Sequence, residues 1–573
     1  MLLYARTARH LRWRQLWYRP VRAAQGKLPV RVPPYGAVHA AVPGERRCAL
    51  AREVAGWGAP RAGYRQRAEQ VLAGRFEFLN HAEQFSAIDW RARHVSHLWN
   101  YNLHYFDYAM DVAWAWRETR EARYADRFTE LALAWIDGTD PGRSDGWEPY
   151  AVSLRTVNWI QALLLLEDAV APADRHRLEG SLARQLAYLA RRLEWHILAN
   201  HLLKNLKALV VGGLYFRGEA AERWLRDGRR LLWAQVLEQV LLDGTHYERS
   251  PMYHAIALGD VLEVVSLLHA VGEDVPGEVL ERTRGMVAAA AVLSRPDGSL
   301  HLFNDAANGI APDGPWLDAM ARRALGTGIP RLEGPMALPE AGYYGHVDSA
   351  AGARLLVDCG APGPLYQPGH AHCDLLSFEL DVDGRPLVVD SGVSGYGEDP
   401  LREYVRSTRA HNTVMIDGRE QSELWSTFRM ARRAKVLGAS TRSEDGVYTF
   451  TGAYTPYHDG RAVHTRRIEA RRGRWLISDR VDGAADRRLA AFLHLHPDWV
   501  AERQGDQLLA RCAEAAVVVE PFGVDEWKLA AGEDPRGWYC PAFGVATPAP
   551  TLELSVRRNH AQEFGCTIRR VDA

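Results

Sequence analysis

The stretch GHAHCDLLSFEL, residues 369–380, joins a polar cluster to an apolar strand pattern. Side chains of an extended strand alternate between its two faces, so His370, His372 and Asp374 are expected to project together. Three titratable groups on one face cost free energy to bury unless they have partners. The stretch therefore predicts both a β-strand and one wall of a functional site.

Two later residues extend this cluster toward a metal site. Asp390 ends the apolar run RPLVVD, and His411 stands within RAHNTV. Two histidines and one aspartate suit a borderline cation such as zinc and leave one coordination position open. A hydrogen-bonded His/Asp cluster without a metal remains the alternative at this point.

The sequence around this stretch has the pattern of an antiparallel sheet. From about residue 335 onward, period-two and β-branched runs alternate with turns such as VDGR and IDGR. Many short strands with almost no helix predict a large antiparallel β-sandwich. The predicted strands are 353–358, 375–382, 386–390, 413–416, 447–451, 474–479, 490–495 and 516–520.

The preceding part of the chain is helical in pattern. Apolar residues recur at three- and four-residue spacing, and Gly- or Pro-containing breakers separate the segments. Short loops oblige successive helices to pack antiparallel, so a run of at least eight suggests a ring of helical hairpins. The predicted helices are 105–120, 126–137, 151–169, 175–194, 200–216, 219–242, 255–272 and 278–294.

Composition limits the possible functions. A chain of 573 residues exceeds what one hydrophobic core organises, so two or more domains are expected. With 70 basic and 71 acidic residues, overall charge offers no argument for a nucleic-acid partner or a membrane surface. The 19 Trp and 22 Tyr residues are numerous enough to form stacking walls of a sugar-binding cleft as well as core. The six scattered cysteines are typical of reduced structural thiols.

Targeting signals are weak. The N-terminal segment MLLYARTARHLRWRQLWYRPVRA is basic and aromatic but lacks the apolar core of a secretory signal. Apolar runs fall short of the ~20 residues needed to span a bilayer, so we expect no membrane span. A cytoplasmic location is the resulting expectation, and a periplasmic location or export by an unrecognised route is the alternative.

Polar clusters recur where helices begin, in WNYNLHY (99–105), WEPYAVSLRTVNW (147–159), ANHLLKN (199–205) and DGTHYERSPMYH (243–254). Each has a structural explanation, since Asn200 suits a helix N-cap and Ser250-Pro251 suits a helix start. Together they suggest one rim of the ring, where helix dipoles and polar donors favour an anionic ligand such as a carboxylate.

The chain resembles the heparinase II/III-like superfamily of polysaccharide lyases in WNYNLHYFDY, EPYAVSLRTVNW, NHLLKN, DGTHYERSPMYH, LFNDAA, GHAHCDLLSFELDVDGRPLVVDSG and RSTRAHNTVMIDG. The resemblance extends from about residue 75 to 420. It implies a multidomain α+β fold, an N-terminal (α/α) toroid of helical hairpins followed by a C-terminal antiparallel β-sandwich. The predicted division is an irregular N-terminal arm packed on the toroid at 1–85, the toroid at 86–335 and the sandwich at 336–573.

The resemblance also implies roles for individual residues. Asn200, with His201 beside it, resembles the residue that neutralises a uronate carboxylate. Tyr253 resembles the general acid, which in some members is also the base, and His370 resembles an assisting base. His372, Asp390 and His411 resemble the ligands of a mainly structural zinc. The expected substrate-binding residues are Trp99, Asn100, Tyr101, His104, Glu148, Arg155, Asn158, Trp159, Tyr247, Glu248, Arg249, His254 and Asn304.

The implied reaction is β-elimination from an anionic, uronate-containing polysaccharide or oligosaccharide. It removes the C5 proton of the uronate and expels the oxygen at C4. Neutralisation of the carboxylate by Asn200, His201 and Arg155 would stabilise the enolate-like intermediate. A cation near Tyr253, such as Arg249 or a protonated histidine, would lower the tyrosine pKa toward neutrality and allow acid and base roles.

Three other functions remain open from the sequence. A metal-dependent hydrolase would activate water at the His/His/Asp site. A toroid glycosidase would need two carboxylates across the cleft, with candidates Asp107, Glu148, Glu248 and Asp305. A non-catalytic carbohydrate-binding protein of exopolysaccharide metabolism would keep the cleft without turnover. The sequence does not distinguish among uronate polymers, between endo and exo action, or among oligomeric states.

Overall fold

The computed structural model describes residues 2–27, 39–41, 44–59, 61–141, 144–483, 487–530, 537–558 and 562–571. The first half of this described chain is helical and the second half is β-sheet, as the patterns predict. The helices are α1 (Leu2–Ala8), α2 (Trp13–Lys27), α3 (Gly44–Trp57), α4 (Tyr64–Leu72), α5 (His97–Tyr105), α6 (Asp107–Thr119), α7 (Ala122–Gly138), α8 (Pro149–Leu166), α9 (Pro172–Leu189), α10 (Ala199–Tyr215), α11 (Glu219–Gln239), α12 (Pro251–Ala270), α13 (Gly277–Leu293), α14 (Gly314–Leu325) and α15 (Pro400–Arg406).

The helices form two layers. The even-numbered helices α4 to α14 contact one another in succession and make the inner layer, while α7, α9, α11 and α13 pack outside them. Apolar residues all around α12 fit this inner position, because a helix buried on every side has no polar face. Alternate helices of such a ring run parallel, so α8, α10 and α12 begin at the same rim.

The expectation of an irregular N-terminal arm is wrong for its described residues. Four helices, α1 to α4, occupy much of 1–85, while residues 1, 28–38, 42–43 and 60 lie outside the described part. In α3, Leu50, Val54 and Trp57 recur at helical spacing and are buried in the helical core. The many Arg and Gly residues of this segment obscured that amphipathic pattern.

The strands are β1 (His39–Ala41), β2 (Arg75–Phe78), β3 (His81–Gln84), β4 (Phe216–Arg217), β5 (Gly334–Leu338), β6 (Tyr343–Asp348), β7 (Ala353–Asp358), β8 (Phe378–Val382), β9 (Arg385–Val388), β10 (Val414–Ile416), β11 (Leu424–Trp425), β12 (Arg429–Met430), β13 (Lys435–Glu444), β14 (Val447–Thr455), β15 (Val463–Arg471), β16 (Arg474–Asp482), β17 (Arg487–His494), β18 (Val500–Gln504), β19 (Gln507–Cys512), β20 (Ala515–Phe522), β21 (Glu526–Ala530), β22 (Trp538–Tyr539), β23 (Thr547–Pro548), β24 (Thr551–Arg558) and β25 (Phe564–Val571).

Three antiparallel sheets build the C-terminal half. Their strand orders are β5-β6-β7-β8-β9, β10-β17-β24-β21 and β13-β14-β15-β16-β25-β20-β19-β18. One apolar cluster, which includes Leu380, Phe450 and Leu552, takes residues from all three sheets. Alternation along β14 and β15 places every second side chain in this core, as expected for sheets buried on one face.

The stretch 369–377 differs from its prediction, because it forms a loop and not a strand. Its backbone N–H groups bond outside any sheet: His372 donates to Asn304 Oδ1 and Leu375 donates to Gln421 Oε1. A loop held by side chains in this way satisfies buried amides without a neighbouring strand. The regular strand β8 begins only at Phe378.

One described helix, α12, is long and apolar enough to cross a membrane by length and composition. In this fold, 89% of the most apolar stretch of α12 is buried within the protein. Inner-layer packing accounts for its apolar character.

Candidate active site

The N-terminal turns of three inner helices place polar side chains on one rim. Tyr150 stands in the first turn of α8, His201 in that of α10 and Tyr253 in that of α12. Ser250 caps α12 by accepting a hydrogen bond from the Tyr253 amide, and Pro251 follows it. This is the helix start predicted from the Ser-Pro pair.

Asn200 is not a helix cap. The capping position of α10 is Leu198, and both Leu198 and Ala199 have left-handed φ values of 69° and 51°. Such backbone is costly for residues other than glycine and is concentrated at functional sites. It turns the Asn200 amide toward Glu248, to whose Oε2 Nδ2 donates at 3.3 Å.

His201 is held by a buried carboxylate. Its Nδ1 lies 3.1 Å from Glu194 Oε1, and its ring lies 4.4 Å from that of Tyr150. Asn205 fixes Glu194 in turn, with Nδ2 donating to Oε2 at 2.9 Å. Burial lowers the pKa of His201, but Glu194 outweighs it and the net pKa lies above the ordinary value.

Glu248 is buried beside these groups and has spare hydrogen-bonding capacity. Its Oε1 has no partner in the described structure. Burial raises the pKa of Glu248, against opposing effects of His370, Asn200 and His201. The same carboxyl therefore interacts with both the toroid residues and the histidine of the sandwich, which places them in one site.

Tyr253 contacts the sandwich side of the cleft. Its ring stacks on His370 with centroids 4.0 Å apart, and its hydroxyl lies 2.9 Å from that of Tyr396. Burial, together with Tyr396 and Asp305, raises the pKa of Tyr253 well above its ordinary value. Arg402 interacts electrostatically with Tyr253 but is paired with Asp305 and does not offset these effects, so a neutral hydroxyl is the stable form.

Arg249 does not supply that cation. Its guanidinium donates to the backbone carbonyls of Ala361 and Gly363, and to that of Glu340. The residue has a left-handed φ of 59°. These carbonyls engage Arg249 in joining the toroid to the sandwich, which gives no support to a role in tuning Tyr253. Contact between Arg249 and substrate stays a prediction.

Asp305 connects both histidines of the 370–372 loop to a buried arginine. One carboxylate oxygen lies 2.8 Å from His370 Nδ1 and the other lies 2.8 Å from His372 Nε2. Arg402 makes a bidentate pair with the same carboxylate. Burial would raise the pKa of Asp305, but Arg402 and the histidines hold it well below its usual range.

An ionised Asp305 determines the histidine tautomers. A carboxylate only accepts hydrogen bonds, so His370 must carry its proton on Nδ1 and His372 on Nε2. His370 Nε2 then has a free lone pair and can act as a base. His372 Nδ1 likewise has a free lone pair and is a suitable metal ligand.

His372 Nδ1 belongs to a compact buried cluster. Ligand atoms of His372, Asp374 and His411 lie within 4.8 Å of one another. His372 Nδ1 and His411 Nε2 are buried without hydrogen-bond partners in the described chain. Two orphaned imidazole nitrogens facing a carboxylate form a donor set that fits a zinc ion.

Asp390, the predicted third ligand, takes a different position. It lies 2.8 Å from His411 Nδ1, the ring nitrogen remote from the cluster. The structure thus groups Asp374 with the two histidines, and Asp390 is placed to orient His411. The sequence analysis placed Asp374 on the same face as His372 without assigning it as a ligand.

Asn304 holds this loop in place. Its side-chain Oδ1 accepts a hydrogen bond from the backbone N–H of His372 at 3.1 Å, and its backbone N–H donates to Asp374 Oδ2 at 3.1 Å. Its φ is 58°, a left-handed value that favours asparagine among non-glycine residues. The structure therefore gives Asn304 a positioning role behind the site, whereas the sequence predicts it as a substrate-binding residue.

Arg155 is not available to a ligand, which corrects its assignment. Its side chain is fully buried and donates to His104 O, Gly146 O and Gln185 Oε1. Its guanidinium lies 3.7 Å from the Trp135 ring centre. Arg155 lies on the inner helix α8, and these contacts stabilise the interior of the ring.

Four other predicted substrate residues are also structural. Trp99 and Trp159 lie in the aromatic core. His104 accepts from the Trp135 indole at 3.0 Å, and burial lowers its pKa to about 3. His254 is satisfied by the His246 amide and lies 3.0 Å from the Met286 carbonyl, and burial lowers its pKa to about 4.

The remaining predicted substrate residues have varied environments. Asn100 donates to Asp145 and is buried, and Asn158 donates to Tyr105 O and Asp107. Tyr247 is buried with its ring 5.9 Å from that of Tyr366. Tyr101 and Glu148 retain solvent access at the rim, with Tyr101 stacked on Tyr105 at 6.3 Å and Glu148 paired to Arg22 at 2.6 Å.

Sequence reasoning missed several residues of this site: Tyr396, Arg402, Phe428 and Glu194. Phe428 is 41% exposed and its ring lies 6.0 Å from His370. Tyr396 lies in a loop after the motif VVDSG, whereas Arg402 lies in α15, whose start the Asp399-Pro400 pair could have indicated. Asp305 lies within the motif LFNDAA, and the sequence predicts it only as a candidate carboxylate of a glycosidase.

Comparison with known proteins agrees with this architecture. The model of the heparinase II/III N-terminus matches residues 62–311, and that of the heparinase II/III-like C-terminal domain matches residues 330–569. A heparin-sulfate lyase of Pedobacter heparinus is 24% identical over 471 residues, covering 76% of this chain and 68% of the relative. A heparin-sulfate lyase of Bacteroides thetaiotaomicron is 24% identical, covering 58% and 54%.

Solved structures show the same fold. A crystal structure of heparinase III matches with a TM-score of 0.72 and 18% identity, covering 96% of this chain and 88% of that one. The heparan sulfate lyase of Pedobacter heparinus matches with a TM-score of 0.58 and 21% identity, covering 90% and 83%. Since the two family models together span most of the chain, the protein belongs to the heparinase II/III-like family of polysaccharide lyases.

Proposed function

We propose that this protein cleaves a glycosaminoglycan at a uronate by β-elimination, with heparan sulfate as the first candidate substrate. The observation that carries the proposal is the stacked Tyr253–His370 pair, with His370 oriented by Asp305. It provides a neutral hydroxyl and a free imidazole nitrogen side by side. The named activities of the two heparin-sulfate lyase relatives support the substrate class.

The uronate carboxylate would bind beside Asn200 and Glu248. Glu248 has an unpartnered buried oxygen and a pKa raised by burial. A second carboxylate placed next to it raises that pKa further, because like charges disfavour ionisation. Glu248 would then act as a neutral donor with Asn200, and His201 would add positive charge. These donors would stabilise the negative charge that develops on the carboxylate when C5 loses its proton.

Proton transfer would fall to the stacked pair. His370 Nε2 would take the C5 proton, since Asp305 holds the other ring nitrogen protonated. Tyr253 would give its proton to the departing oxygen at C4, which suits a hydroxyl whose pKa is raised. Tyr396, 2.9 Å away, is placed to replenish or stabilise the tyrosine oxygen. The base role for Tyr253 is thereby reduced in favour of His370.

A glycosidase mechanism has less support in this geometry. Of the four carboxylates considered for it, Asp305 is committed to Arg402 and two histidines, and Glu148 pairs with Arg22. Asp107 accepts from Asn158 at 2.7 Å. Of these four carboxyl groups, only that of Glu248 remains available in the cleft, whereas glycoside hydrolysis by a carboxylate pair needs two available carboxyl groups.

We further propose a structural zinc held by His372 Nδ1, His411 Nε2 and Asp374. When bound, the ion would cross-link the 370–374 loop to the segment at His411. The position of His370 would be set by Asp305, whose carboxylate contacts both His370 and His372. Asp390 would orient the His411 ring from its other nitrogen.

The test of lyase function is a product assay on heparan sulfate, hyaluronan and alginate. Elimination creates a conjugated double bond, so ultraviolet absorbance and reducing ends should rise together on the preferred polymer. Hydrolysis would raise reducing ends alone and would overturn the proposal. Absence of both signals on every glycosaminoglycan tested would also overturn it.

A further inference from the structure

Helix α2 buries a polar face and exposes an apolar one. Gln15, Tyr18 and Arg22 recur at helical spacing and face the protein, with Gln15 fully buried. On the opposite face Trp13 and Trp17 are 74% and 57% exposed. A surface helix of a globular protein normally buries its apolar stripe, so this outward apolar face needs an explanation.

Polar contacts fix this orientation. Gln15 Nε2 lies 3.3 Å from the Tyr366 carbonyl and 3.5 Å from that of Ile197. Arg22 pairs with Glu148 at 2.6 Å. Rotating α2 to bury its tryptophans would break these bonds. The inner contacts also place the helix across the junction of the two domains, since Ile197 precedes Asn200 and Tyr366 precedes His370.

Exposed apolar residues are concentrated in one short stretch of the chain. Ten large hydrophobic residues are exposed in the described chain, and five lie between residues 2 and 17. The indoles of Trp13 and Trp17 stack with centroids 6.4 Å apart. The exposed residues of this face are Leu2 (71%), Tyr4 (61%), Trp13, Leu16 (40%) and Trp17. We call these five the arm face.

The segment that carries the arm face has charged residues of one sign only. The segment 2–27 has six arginines, one lysine and no acidic residue, whereas the whole chain has a net charge of −1. Arg6, Arg12 and Arg22 pair with carboxylates of other elements. The remaining arginines, Arg9, Arg14 and Arg19, are exposed and make no ion pair within the described chain. The exposed apolar residues of this segment are therefore flanked by arginines without ion pairs, one of which, Arg14, lies 5.2 Å from the Trp195 ring centre.

We propose that the arm face docks this protein on an anionic membrane surface. Arginines bind lipid headgroups while Trp and Leu enter the headgroup–acyl boundary. A second copy would present the same positive charge and repel it. An anionic polysaccharide would use the arginines and indoles but has no apolar surface to bury exposed leucines such as Leu2 and Leu16. Docking would place the cleft beside the lipid surface.

The test is vesicle co-sedimentation of the full chain with phosphatidylcholine vesicles, with and without phosphatidylglycerol. The tested variant is Trp13→Ser/Trp17→Ser, and Leu242→Ser is the control because Leu242 is 77% exposed elsewhere. Wild type and control should bind the anionic vesicles, bind neutral vesicles weakly, and release at high salt. The double variant should bind about tenfold or more weakly, with its melting temperature and lyase turnover on soluble substrate unchanged.

Equal binding by the double variant, or no binding by wild type, overturns the proposal. If the double variant instead loses affinity for a soluble uronate polymer, the arm face is a polysaccharide site. If it changes from dimer to monomer on gel filtration, the face is an interface between copies. Either result contradicts membrane docking. Lyase turnover is read separately, so failure of this proposal is distinguishable from failure of the lyase assignment.

Discussion

The carboxylate of Asp305 lies 2.8 Å from Nδ1 of His370, and this contact determines which ring nitrogen of the candidate base donates a hydrogen bond. Because Asp305 is also paired with Arg402, its negative charge is stabilised deep in the protein. The same carboxylate orients His372 at the candidate metal cluster. One aspartate thus holds both the candidate base and a histidine of the candidate metal cluster.

Replacing Asp305 with asparagine should disrupt both functions. An amide accepts through one atom and donates through the other, so it cannot accept from both histidines and the arginine together. We expect kcat to fall by about 10³-fold or more, by analogy with other histidine bases that lose their orienting carboxylate. Unfolding free energy should fall by about 3 kcal/mol, since Arg402 loses its buried partner. Steady-state kinetics and urea unfolding measure the two losses, and an unchanged kcat contradicts the assignment.

Tyr253→Phe should remove the proton donor while leaving the ring stack on His370 intact. We expect kcat to fall by about 10²- to 10⁴-fold with KM little changed, because the hydroxyl acts chiefly in the transition state. The matched control is Tyr105→Phe, which also lies on the rim but makes no contact with His370. Ultraviolet absorbance of the unsaturated product follows both variants. Wild-type turnover by Tyr253→Phe refutes the acid role.

Glu248 should act in its neutral form. Its folded pKa is raised, so the neutral acid predominates below that raised value and is lost as pH increases through it. Activity of the wild type should therefore show a declining limb as Glu248 ionises. Glu248→Gln keeps a donor without titrating, so it should retain most activity and lack this limb, whereas Glu248→Ala should lose activity. A glutamine variant as inactive as the alanine variant contradicts the neutral-donor role.

Metal content should discriminate between the two aspartates. Asp374→Asn should abolish zinc binding measured by elemental analysis, and Asp390→Asn should retain zinc with affinity lowered by about 10- to 100-fold. Thermal stability should follow zinc occupancy, because ligand binding stabilises the fold that provides the site. The reverse order of the two variants would make Asp390 the ligand, as the sequence resemblance implied. Absence of zinc from the wild type would refute the site.

Acid stability should depend on Asp479. Burial would raise the pKa of this carboxyl, but Arg466 and His464 hold it at about 2, below its unfolded value of 3.8. A depressed folded pKa stabilises the protein above the unfolded value, and this stabilisation is lost as pH falls through the folded value. It is worth about 2 kcal/mol.

The variant Asp479→Asn tests this effect, because asparagine keeps the shape of the side chain but has no titrating carboxyl. Its deficit in unfolding free energy relative to wild type should be largest near neutrality and should shrink between about pH 4 and pH 2. Urea titrations at a series of pH values measure the difference. A deficit that does not change with pH would contradict the depressed pKa.

Helices α6 to α13 were predictable because their signal is local. Periodic apolar residues and Pro or Gly breakers indicated α6 to α13 within a few residues of their observed bounds. The Ser250-Pro251 pair indicated the start of α12 and thereby placed Tyr253 in its first turn. The convergence of helix N-termini followed from the ring itself.

The site was less predictable because its determinants are distant in sequence. The 369–377 segment alternates like a strand, yet His372 bonds to Asn304, 68 positions away, and the segment forms a loop. Arg155 resembled a ligand-binding arginine, but its acceptors at His104 and Gly146 exist only in the folded ring. Sequence pattern does not show which side of an inner helix has such partners.

The most direct test of the central claim is cleavage in heavy-oxygen water followed by mass spectrometry of the oligosaccharide products. Elimination breaks the bond between C4 and its oxygen without adding water. The account therefore predicts one unsaturated product end, no solvent oxygen at the cleavage site, and a summed product mass equal to that of the substrate. Saturated products that have gained one heavy oxygen per cleavage would contradict it and would assign hydrolysis to this cleft.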